Sequence, residues 1–181
     1  MSASKDNMVW MDLEMTGLNP EMDKILEIAT IITDKNLNVL AEGPSMAIHH
    51  DKQTLDSMNE WCIKQHAASG LSDRVLASNI SLAQAEAKTL AFVRQYAAER
   101  AVPLCGNSIH QDRRFLVRYM PQLEAHLHYR MVDVSTIKEL AKRWYPKLKS
   151  PAKKGMHLAM DDVRESIAEL RYYREQIFIA T

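Results

Sequence analysis

The sequence predicts an α/β domain in which a mixed five-stranded sheet is flanked by helices. β-rich runs crowd the chain up to Ile48, helical spacing of apolar residues dominates from Leu55 onward, and two short apolar runs interrupt the helices and supply the last strands.

Met8 to Leu13 mixes β-branched, aromatic and apolar residues ahead of the Gly17 to Pro20 turn signal, so it reads as a strand entering a loop. Ile25 to Thr33 and Asn38 to Ile48 are similarly β-rich, and Asp34 to Asn36 reads as a tight connection between them. Three antiparallel strands are the simplest arrangement. Leu55 to Ala68 and Leu82 to Ala98 are expected as helices, the second rich in Ala and Glu. Leu104 to Gly106 reads as a short buried strand and Met131 to Asp133 as a fifth. Gln111 to Met120, Val134 to Trp144 and Ala159 to Ile177 read as the remaining helices. Without repeats or a convincing linker, residues 1–181 are expected to form a single domain.

The 23 basic and 23 acidic residues cancel, so no general field draws this chain onto long nucleic acid, although a local pocket can still hold one or two phosphates. Cys62 and Cys105 form no CxxC pair, which suggests neither a zinc knuckle nor a disulfide framework and fits a cytoplasmic setting. The most apolar stretch, Ile25 to Ile32, is interrupted by Glu27, and nothing suggests secretion or a membrane span. The eleven methionines fit adaptable core filling. Lys147 to Gly155, with Pro151 and four lysines, reads as a solvated loop or as a basic flap beside an anionic substrate.

Four carboxylates carry the chemistry. Asp12 and Glu14 are two apart on a predicted strand, so both project from one face, where like charges are unfavourable unless a cation or solvent separates them. Alone, the pair fits a solvated edge equally well. Asp112 falls in the first turn of a helix, which the helix dipole explains, but it shares a face with Phe115, Leu116 and Tyr119 and so points toward the sheet. In the last helix Val163, Ile167, Leu170 and Ile177 form the buried stripe; Asp162 lies on its border while Asp161 points to water. His157 precedes that helix closely enough to overhang the same pocket, and a lone His is also a common structural hydrogen bonder.

Asp12-Leu13-Glu14-Met15-Thr16-Gly17, then Gly106-Asn107-Ser108-Ile109-His110-Gln111-Asp112, then His157-Leu158-Ala159-Met160-Asp161-Asp162 resemble the three exonuclease motifs of the DEDD superfamily, His-containing branch. The first block extended to Leu18, the second extended through Arg113, Arg114, Phe115 and Leu116, the Asp133 to Thr136 block and the run Ala159 to Ser166 resemble the oligoribonucleases within it. The resemblance spans Met8 to Tyr173. It implies an RNase H-like exonuclease domain that degrades very short RNA from its 3′ end to nucleoside 5′-monophosphates.

The resemblance further implies two divalent cations, Mg²⁺ or Mn²⁺, held by Asp12, Glu14, Asp112 and Asp162, with His157 as general base; oxygen ligands without clustered Cys or His suit such hard ions. It places Leu18 and Trp61 against the bases, and His66, Gln111, Ser108, Arg130, Ser135 and Thr136 near the substrate, the hydroxyls and Arg suiting a 5′ phosphate. It implies a homodimer in which Tyr129 reaches the partner's site. Met156 stands where relatives usually carry Ser or Thr, which implies a changed loop contact beside His157. Two other readings remain: a proofreading-type exonuclease on longer DNA or RNA strands, and a nucleotide-binding module without catalysis.

Overall fold

The computed structural model describes residues 3–149, 151 and 158–178. Three strands come first: β1 (Met8–Met15), β2 (Ile25–Thr33) and β3 (Val39–Ala47). β1 and β3 each pair antiparallel with β2. The Asp34 carboxylate accepts the backbone N–H groups of Asn36 and Asn38, tying the β2–β3 turn. β2 is buried along its whole length, because helices cover both faces of the sheet there.

After four helices, α1 (Lys52–Asp56), α2 (Glu60–Ala68), α3 (Leu71–Ala77) and α4 (Leu82–Tyr96), the chain returns as β4 (Leu104–Gly106), which pairs parallel with β1. α5 (His110–Tyr119) and α6 (Pro121–His126) lead to β5 (Met131–Asp133), parallel to β4. α7 (Val134–Trp144) and α8 (Ala159–Ile177) complete the order. The sheet order is β3-β2-β1-β4-β5, the predicted mixed five-stranded sheet.

Alternation along β1 divides the core. Val9, Met11 and Leu13 join Leu90, Val93, Phe115 and Leu116 on one side, while Trp10 joins Ala141, Val163, Ile167 and Tyr173 on the other. Trp10 donates its indole N–H to Thr33 Oγ1 at 2.9 Å, so even this fully buried ring is satisfied.

Three helical features depart from expectation. The predicted Leu55 to Ala68 helix is two helices, because Ser57 closes α1 and Asn59 caps α2 by accepting the Cys62 N–H. α3 was not expected; only Leu71 and Val75 of its short length are buried, too few to show a period. α6 was also missed. Its N-terminal donors, Gln122 and Leu123 N–H, are taken by the Glu86 carboxylate of α4, a cap from distant sequence that no local pattern reveals. No helix among the described residues is long and apolar enough to cross a membrane.

Candidate active site

The carboxyl ends of the parallel strands β1, β4 and β5 open on one edge, where α/β sheets commonly receive ligands. Period-2 alternation puts Asp12 and Glu14 on the face covered by α8, and the first turn of α8 brings Asp162 to them. Carboxylate oxygens of Asp12, Glu14 and Asp162 lie within 4.8 Å of one another. Asp161 turns away and pairs with Arg164 at 2.9 Å.

Asp112 arrives from the opposite side of the sheet. The pairing of β1 with β4 ends at Trp10 and Cys105, which leaves the Leu13 N–H beyond the reach of β4. The Asp112 Oδ1 accepts that N–H at 2.9 Å, so a buried acid and an orphan backbone donor satisfy each other. Gly106 permits the close approach of β4: a Cβ there would stand 2.9 Å from the Met11 carbonyl oxygen.

These acids repel. Burial first, then the charges of Asp112, Glu14, Asp162 and Glu27, hold the Asp12 carboxyl well above the ordinary carboxylate range. Glu14 is pushed to about 8 by burial and then by Asp162, Glu27 and Asp112, against a smaller opposing pull from Arg74. Burial pushes Asp112 to about 7 even though the Leu13 N–H favours its charged form. A site that accumulates acids in this way is completed by positive charge, and its all-oxygen donor set fits a hard divalent cation. Members of the exonuclease class to which this fold belongs generally use divalent metals, and this acidic cluster can bind one.

The remaining candidates are spread around this cluster. His66 is buried; its Nε2–H donates to the Met15 carbonyl, and Nδ1 stands 3.9 Å from Glu14 Oε2. Gln111 is half-buried and accepts a bond from Arg114. Leu18, in the β1–β2 loop, and Trp61, in the first turn of α2, are 64% and 66% exposed. Ser108, Ser135 and Thr136 line an open cleft of about 460 Å³ with His110 and Asp133. Tyr129 and Arg130 line an adjoining cleft of about 620 Å³ that shares Asp133 and Thr136. The Arg130 guanidinium lies over the Tyr129 ring, 5.4 Å from its centre. Neither cleft is lined by the four carboxylates. His157, Met156 and most of the lysine-rich stretch lie outside the described residues.

Sequence reasoning missed a fifth acid. Glu27 is 2% exposed, faces Glu14 across the β1–β2 register and is gripped by Arg74. Its signal was a charged residue inside the most apolar run of the chain. Asp133 was also missed as a local organiser: its Oδ1 accepts the N–H groups of both Ser108 and Ser135, and it caps α7.

The RNase_T exonuclease family matches residues 9–170. The chain is 58% identical over 177 residues to an oligoribonuclease of Halorhodospira halophila, covering 97% of each. It is 61% identical over 173 residues to the oligoribonuclease of Pseudomonas syringae pv. tomato, covering 95% of this chain and 96% of that one. Among solved structures, it resembles E. coli exonuclease I in a zinc-bound complex with single-stranded DNA, with a TM-score of 0.73 at 15% identity over 98% of this chain. It also resembles the moderately thermophilic exonuclease I of Methylocaldum szegediense, with a TM-score of 0.67 at 18% identity over 94% of this chain. The chain spans 41% of the length of each, and the likeness at this identity shows a shared exonuclease fold. Carrying a family match across most of its length and near-complete alignment to such relatives, the chain belongs to the RNase_T exonuclease family and, within it, to the oligoribonucleases.

Proposed function

We propose that the chain works as one exonuclease domain that removes nucleotides from the 3′ end of very short RNA and releases nucleoside 5′-monophosphates. The observation that carries this reading is the meeting of Asp12, Glu14 and Asp162 within 4.8 Å, with Asp112 fixed beside them by the Leu13 N–H. Its support from relatives is the high identity to oligoribonucleases over nearly the whole chain.

Asp12, Glu14, Asp112 and Asp162 would hold two divalent cations, Mg²⁺ or Mn²⁺. When bound, such ions polarise the scissile phosphodiester and offset charge that grows during displacement. The chain supplies the rest. Asp112 is oriented by a backbone donor and cannot swing away without exposing that donor. His157 takes the proton from the attacking water, a task suited to a group with an unperturbed pKa near ~6.5. His66, anchored on the Met15 carbonyl, and Gln111 border the substrate path.

Leu18 and Trp61 offer exposed apolar surfaces on which bases stack without being read, so any sequence is accepted. Ser108, Thr136 and Arg130 receive the terminal 5′ phosphate in the adjoining clefts, one of them also lined by Ser135, which makes substrate length the recognised feature. Tyr129 completes the site of a second copy in a homodimer. The protein acts in the cytoplasm, where two buried thiols remain reduced.

The deciding assay compares 5′-phosphorylated dinucleotide RNA with a ~20-residue RNA and DNA, with Mg²⁺ or Mn²⁺ and with a chelator. Rapid, metal-dependent turnover of the dinucleotide is expected; equal or better turnover of the long DNA would favour a proofreading-type enzyme instead.

A further inference from the structure

Between the cleft and the carboxylates runs a polar chain, buried at Ser166 and Glu169 and partly buried at Asn107 and Ser135, whose hydrogen positions are fixed by its members. Lys138 Nζ pairs with Glu169 Oε1 at 2.7 Å, and the other oxygen of that carboxylate accepts from Asn107 Nδ2 at 3.0 Å. The same amide nitrogen donates to Ser166 Oγ at 2.9 Å, and the Ser166 hydroxyl donates to the Asp162 carbonyl at 2.9 Å. An ion-paired carboxylate only accepts, so the Asn107 nitrogen must face Glu169 and its oxygen must face the other way.

That oxygen accepts from the Ser135 hydroxyl at 3.1 Å. Ser135 has one proton and it is thereby committed. Ser135 Oγ can then only accept from its two other neighbours, the Ser108 N–H at 3.0 Å and the Ser108 hydroxyl at 3.1 Å. Ser108 itself sits at φ +50°, a left-handed conformation that costs a non-glycine residue energy. Its N–H is held there by Asp133 Oδ1 and Ser135 Oγ together.

We propose that Asn107, oriented by the Glu169–Lys138 pair, is a positioning residue: it commits the Ser135 proton and so leaves Ser108 as the one hydroxyl of the pair whose proton can turn from Ser135 to the substrate's terminal phosphate, Ser135 Oγ keeping the Ser108 N–H. Through Ser166 the same amide ties this arrangement to the first turn of α8, which carries Asp162. The phosphate-binding end and the carboxylate end are thus spaced by one rigid, fully hydrogen-bonded link. A ligand too long or too short for that spacing cannot satisfy both. The inference rests on the reading that this cleft takes the 5′ phosphate.

The test is polarity exchange. Asn107→Asp keeps an acceptor for Ser135 but places two carboxylates face to face. Adding Glu169→Gln restores a donor toward position 107 while its carbonyl still accepts from Lys138. The readout is the ratio of kcat/KM for 5′-phosphorylated over 5′-hydroxyl dinucleotide, with melting temperature measured alongside. Asn107→Asp should lower that ratio roughly tenfold or more through KM, as expected for a lost bond to a charged group, and the double variant should recover most of it. Ser108→Ala should lower the ratio similarly while remaining folded. A wild-type protein with no preference for the 5′ phosphate would overturn the cleft assignment and the proposal with it. A wild-type preference that survives in both Asn107→Asp and Ser108→Ala would overturn the proposal alone. Equal loss on both substrates would reduce Asn107 to a purely structural part and overturn it as well.

Discussion

Arg74 grips Glu27 with both terminal guanidinium nitrogens, directly across the β1–β2 register from Glu14. Glu27 Oε2 also accepts the Ala159 N–H at 3.4 Å, so the pair joins α3, β2 and the start of α8 beside the acidic cluster. Arg74→Met leaves a buried carboxylate without its cation. Breaking such a pair costs about 3 kcal/mol or somewhat less, because Arg74 is 41% exposed and partly screened. Chemical denaturation should show that loss, and Glu27→Gln in the same background should recover part of it. No recovery would mean that Arg74 acts through packing.

The acids proposed to hold the metal ions also repel one another in the metal-free fold, so neutralising one should separate activity from stability. Glu14→Gln or Asp12→Asn should abolish turnover yet raise the melting temperature in chelator near pH ~8, by roughly 2–4 °C for each kcal/mol of repulsion removed. Melting curves with and without Mg²⁺ check this: the parent should gain more from the ion than either variant does. A melting temperature that falls in chelator would show that these side chains hold the fold together.

The pH dependence has a definite sign. Glu14 moves from its usual 4.5 to about 8, and Asp112 from 3.8 to about 7. Across these windows the folded chain retains protons that the unfolded chain has released. The contribution of these two groups to metal-free stability is therefore full below their unfolded values and is lost as pH rises toward about 8. A divalent ion displaces those protons, so its apparent affinity and the rate should both climb over the same interval. Titration of Mn²⁺ into the protein in two buffers of different ionisation enthalpy near pH ~6.5 should reveal proton release. Metal affinity that does not change with pH would contradict the shifts.

Most of this site was legible where side chains obey local geometry. Asp12 and Glu14 were placed by strand alternation, and Asp162 was separated from Asp161 by helical angle. Asp112 was read as pointing inward, but its partner, the Leu13 N–H, lies 99 residues away and follows from where β4 stops. Glu27 and Asn107 were passed over for the same reason. Their roles come from Arg74, Glu169 and Ser135, contacts that only the packed sheet creates. The split of α1 from α2 was carried by Asn59, a cap residue present in the sequence and overlooked within an apolar run.

Trp61 presents most of its ring to solvent, so its removal tests binding almost free of folding effects. Trp61→Ala should change stability by no more than about 0.5 kcal/mol, as for an ordinary surface substitution. Loss of one stacking surface, about 1–3 kcal/mol, should raise KM for a dinucleotide roughly 5- to 150-fold with kcat little changed. Unaltered KM would remove Trp61 from the substrate path.

Tyr129 is 71% exposed and shares its cleft with Met131, an arrangement that leaves apolar surface in water unless a second copy covers or uses it. If Tyr129 serves the partner's site, Tyr129→Ala and Asp12→Asn chains should each be inactive alone and complement when mixed. In the mixed dimer the Tyr129→Ala subunit keeps its Asp12 and receives Tyr129 from its neighbour, which rebuilds one site of the two. Free exchange makes half of the dimers mixed, so about one quarter of wild-type specific activity should return. Mixing without any recovery, in a sample that sedimentation shows to be dimeric and exchanging, would assign Tyr129 to its own subunit's site or to local packing.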